Sequence, residues 1–339
     1  MITILGGGVA GASLARALAL RGRRDVVVVD HCPFATGSTG KALGGFRVQH
    51  GSTLNISLSL ASRPYFAARA DRIEFAPVGY LYLADTAAAG PELAARSELQ
   101  TAHGLPIQHP DPRTLLPEIV ADDLFGTNYC AWDGVYLPAK VLACLREEAT
   151  AAGARFHYET EASREDLAAE EVVICAGSWS RQVGASLGVD LGVTPLERGV
   201  FQVGPFDWLK PQTPVLLEAS SGYHCRERQG RLLVIGPGDP NAWEHHRQWL
   251  ERRLPAAAVE RPEDHWTGLY EMTFDHHPLV GSTEREGVWA MCGFSGHGVM
   301  HSPAVAESLA AMLVGDTPPL DLTPLSPLRT QPLLDGTQL

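Results

Sequence analysis

Residues 1–30 constrain the fold of this chain more than any other stretch. They read as an apolar run from Ile2 to Leu5, a glycine turn (Gly6, Gly7, Gly8, Val9, Ala10, Gly11), an Ala/Leu/Arg stretch with helical character, and a second apolar run, Val26 to Val29, closed by Asp30. The order is β-α-β. Gly6 permits the tight turn off the first strand, Gly8 lets the backbone approach a pyrophosphate, and Gly11 lets helix and strand pack closely. The helix N-terminus then faces phosphates with unpaired N–H groups and the positive end of its dipole, and Asp30 is placed to accept hydrogen bonds from a ribose diol. The turn predicts a cofactor containing ADP and leaves NAD and FAD both open.

A chain of 339 residues, 45% of them hydrophobic, is long enough for about two domains. Its formal net charge of -12 and the absence of a basic stripe argue against nucleic acid or an anionic membrane as the main partner. The six cysteines (Cys32, Cys130, Cys144, Cys175, Cys225 and Cys292) never form a C-x-x-C pair, so neither a zinc site nor a disulfide framework is signalled. With a first strand starting at Ile2, a secretory leader is not expected, and no apolar run reaches the roughly 18 to 20 residues of a spanning helix. A soluble cytoplasmic protein with reduced thiols is the expectation.

Beyond Asp30 the segment from His31 to Gly51 is rich in Gly, Ser and Thr and reads as a long loop. Leu54 to Ala70 has helical spacing, and Phe75 to Leu83 alternates like a strand. Helices are expected over Pro91 to His103, over 112–118, and from Pro138 to Ala152, with strands at Phe156 to Glu161 and Glu171 to Gly177. The second of these strands is continuously apolar, as suits a parallel strand buried on both faces. From 195 to 266 four strand-like runs are interrupted by one helix, Pro240 to Leu254, on which His245 and His246 are expected to be solvated.

A second glycine cluster, Gly293 to Gly298, precedes Ser302-Pro303 and an apolar run to Leu313. Ser302 as N-cap and Pro303 at the first helical position predict a helix start, and a helix start presented through glycines is an anion site. In a flavoprotein that anion is the reduced ring. Asp275-His276-His277-Pro278 offers metal-ligand types, but adjacent turn positions rarely converge on one ion, and no metal is expected.

These motifs together resemble the FAD-dependent amine and amino-acid oxidoreductases of the D-amino-acid oxidase superfamily. The chain is most similar to the sarcosine oxidase branch and its β-subunit-like members, whose GG-F-R-x-Q-x-G loop is matched by Gly44 to Gly51. The resemblance implies an α/β fold: a discontinuous Rossmann-like FAD domain (1–75, 131–195 and 267–330), a mostly antiparallel β substrate domain (76–130 and 196–266), and a tail at 331–339. It implies an ADP grip from Gly6, Gly8, Val9, Ala10, Gly11, Asp30 and His31, with Ser38 and Thr39 over the pyrophosphate and ribityl region. Gly44 and Gly45 would pass beside the ring, Ala176, Gly177 and Trp179 would form a second flavin contact, and Gly296, His297, Gly298, Val299 and Met300 would line the N1–C2=O edge.

The implied reaction is hydride transfer from a carbon next to nitrogen onto flavin N5, giving an imine that water hydrolyses, with hydrogen peroxide formed if oxygen is the acceptor. The implied partners are a small amine or amino acid and either oxygen or an electron-accepting protein, with association into oligomers open. Arg47, Tyr223 and His297 are the candidate catalytic residues, and Arg47, with its guanidinium fork, is the candidate carboxylate clamp. Three departures from the sarcosine oxidase pattern stand out. Gly268 falls where monomeric members attach FAD through Cys, so non-covalent FAD is expected. Val234 falls where an oxygen-activating Lys is found, and Met300 replaces a cation after the Gly-His-Gly turn.

Overall fold

The computed structural model describes residues 1–333. The chain begins with β1 (Ile2–Leu5), α1 (Val9–Leu20), β2 (Val26–Val29), α2 (Ser38–Lys41), β3 (Gly45–Phe46), α3 (Thr53–Ala67), α4 (Ala70–Ile73) and β4 (Tyr80–Ala84). It continues with α5 (Ala89–Ala102), β5 (Ile107–Gln108), β6 (Gly126–Cys130), β7 (Gly134–Val135), α6 (Pro138–Ala151), β8 (Arg155–His157), α7 (Arg164–Leu167) and β9 (Glu171–Ile174). The remainder comprises α8 (Ser180–Ser186), β10 (Thr194–Val203), β11 (Val215–Glu218), β12 (His224–Arg228), β13 (Arg231–Ile235), α9 (Trp243–Arg253), β14 (Asp264–Met272), β15 (Leu279–Ser282), β16 (Val288–Cys292) and α10 (Gly298–Val314).

Two sheets organise these elements. The first has the order β15-β16-β9-β1-β2-β8, parallel throughout except for the edge strand β15. Its central strands are wholly buried, because α1 and α10 pack through a common apolar cluster with Ile2, Ile4, Val26 and Val28. Continuous Val and Ile runs are what a sheet covered on both faces requires. The second sheet has the order β14-β10-β13-β12-β11-β4-β6-β5 and is antiparallel except where β11 meets β4. The chain crosses between the sheets repeatedly, and β14 hydrogen-bonds wholly within the second one, so that sheet runs past residue 266. Among the described residues no helix is long and apolar enough to cross a membrane.

Four local expectations need correction. The segment from 31 to 51 is not all loop, since it holds α2 and β3, the latter paired with β7. Residues 112–118 form only a short 3-10 turn, Pro112–Thr114. His246 is buried, with its ring against Phe201, Tyr223 and Trp243, and only His245 is solvated. A turn of 100° per residue moves one of two adjacent helical side chains into the core. Finally, α10 starts at Gly298, so Ser302 and Pro303 lie inside it. Pro303 costs one intrahelical bond there, and the helix continues because its buried face holds it.

Candidate active site

The glycine turn after β1 is shaped by close approach. Gly6 has φ +112°, and a Cβ there would collide with the carbonyl of Cys175 at the end of β9. A Cβ on Gly11 would collide with the carbonyl of Gly6. The helix start it presents has Gly8 as N-cap, no side-chain cap and no acid in its first turn. That leaves its positive end for an external anion.

Asp30 clasps the turn, since its carboxylate accepts from Gly7 N at 2.7 Å and Cys32 N at 2.8 Å. Each carboxylate oxygen keeps a further lone pair for a hydroxyl. Thr39 Oγ1 accepts from Val9 N at 3.1 Å and brings α2 over the same turn. His31 is exposed, edge-on to Trp179, with ring centroids 6.3 Å apart. Asp30, His31 and Cys32 come within 4.8 Å of one another at the edge of this turn.

From this turn a cavity of about 300 Å³ runs between the two sheets. Of the residues expected at the cofactor, Val9, Ser38, Thr39, Gly44, Gly45, Gly296, His297, Gly298, Val299 and Met300 line it, as does the candidate clamp Arg47. Gly6, Gly8, Ala10, Gly11, Asp30, His31, Ala176, Gly177 and Trp179 lie outside its wall, with Ala176 directly against Gly6 at the nucleotide turn. The first backbone N–H groups of α10, those of Gly298, Val299 and Met300, are free of intrahelical partners and sit on the lining. An open helix start at one end, an acid with spare lone pairs and a second helix start at the other end fit an extended dinucleotide with a ring that gains negative charge.

Arg47 is buried and follows β3. Its Nη1 donates to Tyr82 OH and its Nη2 to His297 Nε2, both at 2.7 Å. A guanidinium only donates, so His297 Nε2 is the acceptor and its ring is neutral. Burial first, and the charge of Arg47 second, hold His297 well below the usual histidine pKa. His50 and His301 join the same buried cluster through Ser59, with 3.0 Å contacts from each Nε2 to Ser59 Oγ, and burial lowers both their pKa values. The loop is held by Asp133, whose carboxylate accepts from Val48 N at 2.5 Å and Gln49 Nε2 at 2.7 Å. Burial pushes that carboxyl up to about 7.

Tyr223 is not brought to the cavity. It stacks on Trp249 and meets His246 edge-on beneath α9. Successive residues of a strand face opposite ways, so its neighbour His224 takes the cavity position. Val234 and Ile235 repeat the pattern: Val234 joins the core against Trp249, and Ile235 lines the cavity.

His224 Nδ1 donates to Gly222 O at 3.0 Å, which leaves Nε2 as an acceptor. Burial, helped by the charges of Arg47 and Arg198, lowers its pKa to about 4. Arg198, Tyr270 and Glu271 also line the cavity and went unread in the sequence. Glu271 Oε2 accepts from Gly293 N at 2.8 Å, and burial raises its carboxyl to about 7. Asp275, once weighed as a ligand, is bound by Arg329 at 2.7 Å.

Comparison with known proteins gives the family and the fold. The family model for DAO, FAD dependent oxidoreductase, matches residues 1–312, and the chain belongs to that family. It is therefore an FAD-dependent oxidoreductase. It is 26% identical over 375 aligned residues to the glycine oxidase of Geobacillus kaustophilus (strain HTA426), covering 96% of each chain. The crystal structure of that species' glycine oxidase superposes with a TM-score of 0.85 at 24% identity, covering 97% of this chain and 98% of that one. The L-proline dehydrogenase of P. horikoshii superposes with a TM-score of 0.87 at 21% identity, covering 96% of each chain.

Proposed function

We propose that this cavity oxidises the C–N bond of a small amino acid, such as a secondary N-alkyl amino acid like sarcosine, glycine or a D-amino acid. Arg47 carries the reading. It is a buried cation whose hydrogen-bond partners are a phenol and a neutral imidazole, and among the described residues it has no ion pair. The buried Asp133 carboxyl acts on its charge but is engaged by Val48 N and Gln49 Nε2, so a substrate carboxylate supplies a directly paired counter-ion with charge-assisted hydrogen bonds. His297 is a positioning residue, since its lone pair fixes one edge of the guanidinium.

His224 offers its Nε2 lone pair to the substrate nitrogen. Bound FAD supplies the two-electron oxidation of the amine to an imine, which water hydrolyses. The residues of this chain orient the donor, exclude water and place helix N–H groups where negative charge develops. Among the described residues no cysteine lines the cavity and Gly268 does, which supports non-covalent FAD.

The test is anaerobic bleaching of the flavin against glycine, sarcosine, proline and D-amino acids. At least one should bleach it, with a dependence on Arg47. Bleaching only by amines that lack a carboxylate would overturn the assignment. A separate electron carrier is the alternative acceptor to oxygen. On that reading the reduced protein reoxidises slowly in air and fast with a dye.

A further inference from the structure

The cavity floor carries a second cation that the proposed reaction leaves without a task. Val200, Ile235, His224, Leu217 and Tyr82 form one cross-strand row over β10, β13, β12, β11 and β4. At a strand spacing of ~4.8 Å this row is about 19 Å long. Arg47 is tied to its Tyr82 end. Arg198 stands two residues before Val200, directly across from Gly268, so it projects from the same face at the other end. His224 lies between the two guanidiniums.

Arg198 is half-buried and lines the cavity, and its side chain makes no hydrogen bond or ion pair among the described residues. The surfaces beside it on this floor, Val200, Ile235 and Leu217, are apolar. Both cations act on the same space, because each contributes to the shifts of His224 and of Tyr270. The one acidic side chain among the described residues of the cavity wall, Glu271, is engaged with Gly293 N. In a chain of net charge -12, a cavity that presents Lys41, Arg47 and Arg198 against one carboxyl runs against the overall charge. A substrate with one carboxylate neutralises Arg47 and leaves Arg198 partly desolvated and unpaired, beside a charge of the same sign.

We infer that the substrate carries a second anionic group, in the simplest case a second carboxylate, which Arg198 binds while Arg47 holds the first. The inference rests on the assignment of a carboxylate to Arg47 made above. Its test uses unreactive acids on the FAD-loaded protein: acetate against malonate, succinate and glutarate. Dissociation constants are read from perturbation of the flavin visible band and from calorimetry, neither of which needs turnover. At least one diacid should bind tenfold or more tightly than acetate. Arg198→Gln should abolish that advantage while acetate binding and FAD content stay within twofold, and Arg198→Lys should restore part of it.

Diacids that bind no better than acetate, or a preference that survives Arg198→Gln, would overturn the inference. So would loss of FAD from Arg198→Gln with retention in Arg198→Lys, since the cation would then serve the cofactor. Acetate binding that ignores Arg47→Ala removes the first carboxylate site as well. Acetate binding that depends on Arg47 without a diacid advantage removes only the second. With reactive donors, N-(carboxymethyl)glycine should bleach the flavin at lower concentration than sarcosine, and the two should converge in Arg198→Gln.

Discussion

Two buried arginines on opposite sides of the eight-stranded sheet, Arg253 and Arg47, are treated in opposite ways. Under α9, on the face away from the cavity, Arg253 is 1% exposed and holds Glu218 at 2.8 Å, Asp123 at 2.7 Å and the Val120 carbonyl at 2.7 Å. Glu218 also accepts from Trp249 Nε1 and Ser221 Oγ. On the cavity face Arg47, 8% exposed, is held by neutral groups alone. One strand joins the two environments, because Leu217 faces the cavity and Glu218, the next residue, faces Arg253. Buried cations off the cavity are matched by acceptors of the protein itself, Glu218 and Asp123 for Arg253 and the Gly44 and Tyr136 carbonyls for Arg226. One that lacks a counter-ion, in a cavity that can admit one, is set up for a ligand.

The comparison breaks first at stability. Arg253→Met should lower the unfolding free energy by about 3–5 kcal/mol, because it strands the Glu218 carboxylate. Denaturant unfolding measures this, and flavin reduction by the folded fraction should be unchanged. Arg47→Met should do the reverse. It removes a buried charge that has no ion pair, so the unfolding free energy should hold within about 1 kcal/mol. Its loss should appear in kcat/KM for amino acids, which falls by about 2–5 kcal/mol, roughly 30- to 5,000-fold. A destabilised Arg47→Met with normal turnover would show the two arginines to be alike.

How much of this was legible depends on what each position asks of its residue. The nucleotide turn asks for the absence of side chains at Gly6 and Gly11, and a glycine in the sequence states that outright. The continuous apolar runs of β1, β2 and β9 announce a sheet covered on both faces in the same direct way. The substrate side asks which way a side chain points. There an error of one residue inverts the answer, as it did between Tyr223 and His224. Strict alternation from Cys225, buried under α9, would have placed His224 on the cavity side. Arg198 carried no local signal, since only its cross-strand neighbours give it a role. The start of α10 was misread because Ser302-Pro303 imitates a cap, whereas tertiary burial carries the helix through it.

A smaller effect tests the cavity face alone. His224→Leu removes one acceptor for the substrate nitrogen and leaves the backbone carbonyl of Gly222 near solvent. The expected loss in the rate of flavin reduction is about 1–2 kcal/mol, roughly 5- to 30-fold. Tyr223→Phe, on the other face, should leave that rate within twofold. Equal losses from both would mean that the strand does not separate the faces as its alternation requires.

The smallest effect is in pH. His224 has its pKa lowered from 6.5 to about 4, so the folded state binds fewer protons than the unfolded state between those values. Its contribution to stability is whole above pH 6.5 and is lost as pH falls toward 4, by about 1 kcal/mol between pH 7 and 5.5. His246, under α9, is also lowered by burial and adds a loss of the same sign. A bound carboxylate separates them. Placed beside His224, its negative charge favours the imidazolium and raises that pKa, so acetate should flatten the part of the pH–stability curve that His224→Asn removes. Acetate should leave the part removed by His246→Asn as it was, because α9 seals that ring from the cavity. Melting curves of the two variants at pH 7 and 5.5, with and without acetate, read the difference, and an equal response from both would place the anion elsewhere.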